Sequence, residues 1–168
     1  AEEAIRSLKH QGARIILLSG DRPGAVADLA ARLEIEEWHA GVTPQEKAAM
    51  VTELGQQGNH VLMVGDGLND TAALASAHAS ISPASALDAA RVASDMVLTG
   101  RNLAPVADAL RTARSATRRI RENFAISFGY NAIAVPAAIA GLASPLLAAL
   151  AMSFSSITVT LNALRLRK

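Results

Sequence analysis

Two short segments of the chain carry side chains suited to phosphate chemistry. Residues 19–21 read Ser-Gly-Asp, and residues 65–70 read Gly-Asp-Gly-Leu-Asn-Asp. In the second segment, Asp66 and Asp70 lie four residues apart across a glycine-rich turn. Two carboxylates suit a hard cation such as Mg²⁺, which proteins bind through one or two carboxylates together with phosphate oxygens. The pair therefore predicts a Mg²⁺–phosphate site.

Further residues in these segments and between them add groups that bind phosphate. Ser19 offers a hydroxyl, Asn69 an amide, and Lys47 a positive charge near the start of a predicted helix. Gly65 and Gly67 would let the backbone approach a ligand closely. A Gly-Asp-Gly run alone is more often a turn that caps a helix. The ordered combination of the two segments with Lys47 between them favours phosphoryl transfer instead.

The elements that must position these residues alternate between helix and strand. Apolar runs at residues 13–18 and 60–64 are typical of buried parallel strands, and each directly precedes one of the two segments. Shorter strands are predicted at residues 38–40, 79–81 and 96–98, and helices at residues 2–10, 23–33, 44–57 and 71–77. This alternation predicts a doubly wound α/β domain, in which ligands bind beyond the carboxyl ends of the strands.

Charge divides the chain into two different parts. Residues 1–100 hold 13 acidic and 7 basic residues, a net charge of −6, whereas residues 101–168 hold 2 acidic and 9 basic residues, a net charge of +7. The basic residues of the second part lie at its two edges rather than in one patch, which argues against nucleic-acid binding. The chain has no cysteine, which excludes a disulfide scaffold.

Between these basic edges lies a long stretch without charge. Residues 123–164 contain no Asp, Glu, Lys or Arg, and about 20 apolar residues are enough to span a bilayer as a helix. We predict two transmembrane helices, at residues 124–143 and Pro145–Leu164, joined by a tight loop. The alternative is a buried hairpin of a soluble protein, but soluble helices need a polar face. The flanking basic residues place both outer ends in the cytoplasm; they are Arg101, Arg111, Arg114, Arg118, Arg119, Arg121, Arg165, Arg167 and Lys168.

The two segments, with Lys47 between them, resemble the phosphorylation domain of the haloacid-dehalogenase type. The run Gly-Asp-Gly-Leu-Asn-Asp-Thr-Ala-Ala-Leu, followed by a membrane hairpin, resembles a P-type ATPase. The resemblance implies that Asp66 coordinates Mg²⁺, with Asp70 supporting the site. It also implies that Ser19, Lys47 and Asn69 contact an aspartyl phosphate formed from ATP. Gly20 and Asp21 would belong to a loop that reorganises between phosphorylated states.

The resemblance also implies parts that this chain does not contain. In the family, an Asp-Lys-Thr-Gly-Thr segment with the phosphorylated aspartate precedes this region, and no Asp-Lys-Thr-Gly occurs here. We therefore expect the C-terminal piece of a longer pump, inactive alone. It would comprise part of the phosphorylation domain (residues 1–100), a basic connecting helix (101–122) and two membrane helices with a cytoplasmic tail (123–168). The connecting helix would transmit conformational change to the hairpin.

Polar residues in the predicted spans indicate the transported ion. A single pair of spans after the phosphorylation domain resembles the heavy-metal (type IB) pumps. Methionine sulfur is a soft ligand suited to Cu(I), and polar groups inside a membrane are functional candidates. Tyr-Asn in one span and Met-x-x-Ser-Ser in the other resemble the copper subgroup; the residues are Tyr130, Asn131, Met152, Ser155 and Ser156. Alternatively, Met152 packs and the serines only let helices approach closely.

Several alternatives remain open at this point. A zinc or cadmium pump, a membrane-tethered phosphatase of the same fold and a non-catalytic interaction module would all share parts of the pattern. The segment at residues 80–88 lacks the glycines of typical copper exporters and is similar to the branch that supplies copper to a cbb3-type oxidase. A copper chaperone is a possible partner. Four scattered histidines (His10, His39, His60 and His78) show no metal-ligand spacing.

Overall fold

The computed structural model describes residues 1–100, 102–142 and 144–165. The chain divides into two compact units, Ala1–Asp108 and Ala109–Lys168. The helices in the described part are α1 (Glu2–His10), α2 (Pro23–Arg32), α3 (Pro44–Gln56), α4 (Thr71–Ser76), α5 (Asp88–Ala93), α6 (Ala104–Ile139) and α7 (Pro145–Leu164). The strands are β1 (Ile16–Leu18), β2 (Glu37–His39), β3 (Leu62–Val64), β4 (Ala79–Pro83) and β5 (Met96–Leu98), and a 3₁₀ turn covers Leu68–Asp70.

The first unit is built from parallel strands connected by helices. β1 pairs with β2, with Ile16 opposite Glu37, and β4 lies between β3 and β5, with Ile81 opposite Met96. All of these pairings are parallel, and a helix lies between each strand and its next paired neighbour along the chain. The predicted α/β class is confirmed, with the strands divided between a two-stranded and a three-stranded sheet.

Strand lengths follow the pairing rather than the apolar runs. β1 and β3 each cover three residues, so they are shorter than the apolar runs at 13–18 and 60–64 that predicted them. β4 instead continues to Pro83, past the predicted end at residue 81. β3 pairs with the first three residues of β4, and β5 pairs with the last three. A strand extends only where a neighbour supplies hydrogen bonds, which an apolar run does not reveal.

Two small apolar clusters form the core of the first unit. Ile81 of β4, Leu98 of β5 and Val106 of α6 pack together, and Leu74 of α4 packs with Ala90 of α5 and with Ala86, which precedes that helix. An ion pair connects β2 to the residues just before β1. Arg14 donates two hydrogen bonds, of 2.7 and 2.8 Å, to the carboxylate of Glu37. This pairing lowers the pKa of Glu37.

Buried hydroxyl groups in β4 are satisfied by the residues that precede β5. Ser80 is buried, and both its backbone N–H and its hydroxyl donate to one oxygen of Asp95, at 2.8 and 2.9 Å. Asp95 returns a hydrogen bond from its backbone N–H to the Ser80 hydroxyl, at 3.1 Å. Ser82, also buried, shares a 2.8 Å hydrogen bond with Ser94. The serines in this segment therefore connect β4 to the chain entering β5.

The second unit contains two helices whose ends are clearly marked. The described part of the predicted connecting helix and the charge-free residues that follow it form one helix, because α6 runs without a break from Ala104 to Ile139, and the domain boundary near residue 122 stays a prediction. No glycine or proline interrupts the sequence around residue 122. The helix ends at Ile139; Gly141, two residues later, has a φ of +73°, and the N–H groups of Gly141 and Leu142 bond back to Ala138 and Ala137. This is the Schellman arrangement that glycine favours.

Of the two predicted spans, the second coincides with a described helix and the first does so only in part. α7 begins and ends as predicted, starts at Pro145 after the capping hydroxyl of Ser144, and is long and apolar enough to cross a membrane. It is the one such helix among the described residues. The charge-free part of α6 within the described helix covers only residues 123–139, so the first span stays a prediction. Ala143, which would end it, lies outside the described residues, as do Arg101, Arg167 and Lys168 of the predicted basic edges.

The hydrogen bonds between Ser80 and Asp95 lead to a stability prediction. Asp95→Ala would leave the buried Ser80 N–H without its acceptor, and we expect a loss of about 1–3 kcal/mol in the free energy of unfolding. Asp95→Asn should change stability much less, because both bonds go to a single oxygen that asparagine retains. Urea unfolding followed by the fluorescence of Trp38, the chain's single tryptophan, measures the difference. Asp88→Ala, at a side chain that is 97% exposed, is the control. Equal losses for Asp95→Ala and Asp88→Ala would contradict the prediction.

Candidate functional site

Both predicted phosphate segments lie at the carboxyl ends of parallel strands. The Ser-Gly-Asp segment at residues 19–21 follows β1, and the segment at residues 65–70 follows β3. The second segment forms a loop and a 3₁₀ turn that leads directly into α4. Residues at this end of a parallel sheet share the edge where α/β folds bind ligands. The structure therefore gives each segment the placement that its sequence predicts.

An ion pair joins Lys47 to the second segment. The Lys47 ammonium donates to a carboxylate oxygen of Asp70 at 2.8 Å, and the two side chains are only 11% and 12% exposed. Lys47 comes from the first turn of α3, 23 residues before Asp70. Because water screens a pair this deep only weakly, removing either partner leaves an uncompensated charge. The ion pair thus holds a positive charge at a defined place beside β3.

The start of α3 explains how Lys47 reaches that place. The N-cap hydroxyl of Thr43 accepts from the Glu46 N–H, and the Glu46 carboxylate accepts from the Thr43 N–H at 2.7 Å. Hydrogen bonds from the Thr43 N–H and the Thr43 hydroxyl to the Glu46 carboxylate lower the pKa of Glu46. Pro44 follows the cap and favours the first helical position. Thr43 and Glu46 are positioning residues that our sequence reasoning missed, although a threonine followed three residues later by glutamate is a readable capping signal.

The side chain of Asp70 requires a glycine at position 65. A Cβ atom at Gly65 would lie 2.8 Å from the Asp70 Cβ and 2.9 Å from its second carboxylate oxygen. At Gly67 a Cβ would meet only ordinary contacts, 3.7 Å or longer. The close neighbour of Gly65 is therefore the side chain of Asp70, and the approach of a ligand to Gly65 and Gly67 stays a prediction. Any larger residue at position 65 would displace Asp70 and with it Lys47.

Asp66 and Asn69 differ from Asp70 in their surroundings. Both side chains are exposed, and within the described part of the chain no hydrogen bond or ion pair to Asp66 is found. The described residues contain no group of three or more His, Cys, Asp or Glu side chains that could hold a metal. Mg²⁺ needs only one or two carboxylates when phosphate and water supply the other oxygens. The exposed Asp66 carboxylate, four residues before Asp70 in the same loop, fits that requirement.

The Ser-Gly-Asp segment is tied to the chain that follows β2. The Ser19 N–H donates to the His39 carbonyl, and the Ser19 carbonyl accepts from Val42 N–H, each at 3.0 Å. Gly41 N–H donates to the Asp21 carbonyl at 2.9 Å, and the Ser19 hydroxyl accepts from Asp21 N–H at 3.2 Å. Within the described residues, no hydrogen bond connects this segment to residues 65–70. The structure thus brings Lys47, Gly65 and Asp70 into contact and places Ser19, Gly20 and Asp21 on a separate braced loop.

The residues predicted to bind the transported ion lie in the second unit. Tyr130 on α6 and Ser155 on α7 are half-buried, whereas Asn131, Met152 and Ser156 are exposed. Met152 and Ser156 are four residues apart, so they lie on one face of α7. The exposed fraction of Met152 is 70%. The side chain of Met152, whose sulfur is the predicted soft ligand, is therefore mostly exposed in the two-helix unit and accessible to an ion.

Comparison with known proteins identifies relatives along the whole chain. A family model described as haloacid dehalogenase-like hydrolase matches residues 1–78. The nitrogen fixation protein FixI of Bradyrhizobium diazoefficiens is 51% identical over 99% of this chain, and a copper-exporting P-type ATPase of Mycobacterium tuberculosis is 42% identical over all of it. The chain spans 23% and 22% of the length of these two relatives.

Solved structures of related ATPases also match the chain. A zinc-transporting PIB-type ATPase in its E2.Pi state superposes on 99% of this chain with a TM-score of 0.92 at 35% identity, and the chain covers 27% of that protein. The catalytic domain of the CPx-ATPase CopB-B covers 62% of this chain with a TM-score of 0.60. The chain belongs to the heavy-metal (PIB-type) P-type ATPase family.

Proposed function

We propose that the chain is part of a membrane pump that uses ATP to translocate Cu⁺ through an aspartyl-phosphate cycle. The observation that carries the proposal is the Lys47–Asp70 ion pair, which unites two separate sequence segments at the carboxyl end of β3. A buried cation anchored there is what a transferring phosphoryl group requires, because phosphoryl transfer is catalysed chiefly by positioning and by charge stabilisation. The aspartate that accepts the phosphoryl group is expected outside this chain.

In the proposed site, some residues would bind the phosphoryl oxygens and others would hold those residues in position. Lys47 supplies a fixed positive charge to the phosphoryl oxygens, while Asp70 holds its ammonium in place. The exposed amide of Asn69 and the hydroxyl of Ser19 are donors available to the same oxygens. The hydrogen bonds that brace residues 19–21 against residues 39–42 limit how far Ser19 can move. Such preorganised donors stabilise developing charge without reorganisation.

Mg²⁺ would be held by Asp66, with Asp70 as the second carboxylate. When bound, the ion neutralises negative charge on the phosphoryl group. Asp66 suits this role because its carboxylate is exposed and the described residues leave it uncommitted. Asp70 suits the supporting role because one of its oxygens binds Lys47 and the other lies against Gly65.

The transported ion would bind at the polar residues of α6 and α7. We propose Met152 as the soft ligand, with Tyr130, Asn131, Ser155 and Ser156 around it. Thioether sulfur favours Cu(I) over Zn²⁺. No Asp, Glu, Lys or Arg occurs between residues 123 and 164, so a site built from these helices alone would be uncharged. This suits a monovalent ion better than a divalent one.

Zinc is the second candidate ion. The solved neighbour with a TM-score of 0.92 is named as a zinc transporter, whereas the relatives named as copper exporters are 38–42% identical to this chain. Identity to the FixI proteins is higher, at 46–51%. This supports a branch distinct from the exporters, such as the one that supplies copper for assembly of a respiratory oxidase, with delivery by a copper chaperone. ATPase stimulation by Cu⁺ and by Zn²⁺, compared in one preparation, distinguishes the two ions.

In the membrane, the two helices would form a hairpin whose outer ends lie in the cytoplasm. Exposed apolar side chains cover α7, in which no residue is buried. Arg118 and Arg121 precede the charge-free stretch on α6, and Arg165 follows α7. The positive-inside rule places these arginines, and the acidic first unit with them, on the cytoplasmic side.

The Mg²⁺ assignment predicts the behaviour of Asp66→Asn in the intact pump. We expect this variant to lose Mg²⁺-dependent formation of the phosphoenzyme, because the amide retains the shape of the side chain but loses its negative charge. Its stability should stay within about 0.5 kcal/mol of the wild type, since the side chain is exposed. Acid-stable incorporation of ³²P from ATP and urea unfolding measure the two effects. Asp88→Asn is the exposed control, and normal phosphoenzyme levels in Asp66→Asn would refute the assignment.

The ion-site assignment predicts a selective defect for Met152→Ala. Cu⁺ should stimulate the ATPase activity of this variant less, and the concentration needed for half-maximal stimulation should rise, because a soft ligand has been lost. Phosphorylation by inorganic phosphate should persist, since it does not depend on the ion. Leu150→Ala, an apolar truncation on the opposite face of the same helix, is the matched control. A Cu⁺ dependence identical to that of the control would show that Met152 only packs.

A further inference from the structure

A cluster of polar side chains joins the middle of α6 to the C-terminal end of α7. We define the interhelical polar cluster as Arg119, Glu122 and Asn123 of α6 together with Asn162 of α7. The Asn162 amide donates to Asn123 at 2.9 Å and to Glu122 at 3.3 Å. Its carbonyl oxygen accepts a long hydrogen bond from Arg119 at 3.5 Å. One residue of α7 thus bonds to three residues of α6.

Within the cluster, Glu122 carries the negative charge. Arg119 donates to its carboxylate at 2.7 Å, and Arg118 donates at 3.0 Å. These two bonds lower the pKa of Glu122 to about 2. Because this pKa lies below the ordinary value of a glutamate, the contribution of the carboxylate to stability is complete above the ordinary value. It is lost only as the pH falls towards about 2. The cluster therefore keeps its charges throughout the neutral range.

The cluster contains a group that does not contribute to stability. The Nε–H of Arg119 is buried, and the described residues offer it no hydrogen-bond partner. A buried donor without a partner lowers stability, and apolar residues of similar volume often stabilise a fold more than buried ionic groups do. Polar groups in such contacts are best known for specifying one register over its alternatives. The composition of the cluster is therefore typical of a polar contact that specifies the register between two helices.

The register that the cluster specifies places the ion-site residues of α6 and α7 at the same height along the helix pair. In an antiparallel pair, each step forward on α6 matches one step backward on α7. Asn123 lies opposite Asn162, so Tyr130, seven residues later, matches Ser155, seven residues earlier. Both side chains are half-buried, as expected for facing stripes of the two helices. Met152 lies less than one turn from Ser155 along α7.

The other end of the hairpin agrees with this register. α6 ends at Ile139, 16 residues after Asn123, and α7 begins at Pro145, 17 residues before Asn162. Gly141, just after α6, has a φ of +73°. A slip by one helical turn would shift α7 by about 5.4 Å and separate Tyr130 from Ser155.

We propose that the interhelical polar cluster is a positioning device that sets the register of α6 against α7 and thereby assembles the transported-ion site about 10 Å away. Glu122 and Asn162 are positioning residues, because they lie two turns from the proposed ligands and act through the helices that carry them. The inference rests on the proposed function for its consequence, but the register itself can be measured independently of transport.

The experiment uses the intact pump in lipid vesicles with two kinds of readout. Asn162→Leu removes the interhelical bonds while keeping the branched shape and the number of heavy atoms of the side chain. The exchange variant Glu122→Gln with Asn162→Asp moves the carboxylate to the other helix and retains its pairing with Arg119. Thr160→Val changes an exposed residue on the opposite face of the same turn and is the matched control.

The first readout reports the register. Cysteines introduced at Ile126 and Val159, both half-buried and at matching levels, should form a disulfide that mass spectrometry identifies by its peptide pair. The chain has no cysteine of its own. We expect Asn162→Leu to lower the disulfide yield at least threefold and the exchange variant to restore it, because hydrogen bonds between membrane helices are worth roughly 3- to 20-fold in an equilibrium.

The second readout reports the ion site. In Asn162→Leu, the Cu⁺ concentration for half-maximal ATPase stimulation should rise by roughly 3- to 20-fold, while phosphorylation from inorganic phosphate stays within about twofold. The exchange variant should recover the Cu⁺ response, and Thr160→Val should resemble the wild type. Unchanged disulfide yield and Cu⁺ response in Asn162→Leu, or no recovery in the exchange variant, would overturn the inference.

Failure of the proposed function gives a different result. If Cu⁺ does not stimulate the wild-type pump, the ion assignment fails, and the disulfide yield alone decides the positioning role. A yield that falls in Asn162→Leu and recovers in the exchange variant then still supports the register device. A yield that stays constant overturns it.

Discussion

The ion pair between Lys47 and Asp70 is the interaction on which the arrangement of the first unit's site depends. It needs a capped helix to present Lys47, a strand and a tight turn to present Asp70, and a glycine at position 65 to leave room for the carboxylate. Each requirement is local, but the pair forms only when all three are met. Because its charges are mostly buried, losing one partner would leave the other uncompensated. The pair therefore forms only when the loop at residues 65–70 is correctly folded, and it then fixes the positive charge of Lys47 beside that loop.

A comparable constraint acts in the second unit, where charge is confined to the ends of the helices. Forty-two residues without a charged side chain leave hydrogen bonds among polar groups as the means of aligning α6 and α7. Asn162 meets Glu122 and Asn123 at one end, and the turn at Gly141 closes the other. Met152 and the residues near it lie between these two fixed points. The two units thus use the same strategy, in which polar contacts position residues that stay open to a ligand.

Much of the fold could be predicted from the sequence, and the errors have physical causes. The helices were predicted to within a residue or two where prolines, glycines and caps mark their ends, as in α1, α3 and α7. Strand lengths were less accurate, because pairing depends on neighbours that are distant in sequence. The domain boundary predicted near residue 122 coincides with no break in α6, because a change from charged to apolar residues alters the surroundings of a helix without interrupting its hydrogen bonds. The capping role of Thr43 and Glu46 was readable but was overlooked.

By itself, the sequence determined the types of chemical groups in each unit and their order along the chain. Asp66, Asp70 and Lys47 indicate phosphate chemistry by their identity and spacing, and the charge-free stretch indicates membrane helices by its length. The tertiary structure alone decided the contacts among these groups: that Asp70 is committed to Lys47 while Asp66 stays exposed, and that Asn162 is opposite Asn123. Burial and hydrogen bonding depend on residues brought together from distant parts of the chain, and no local pattern encodes those distances.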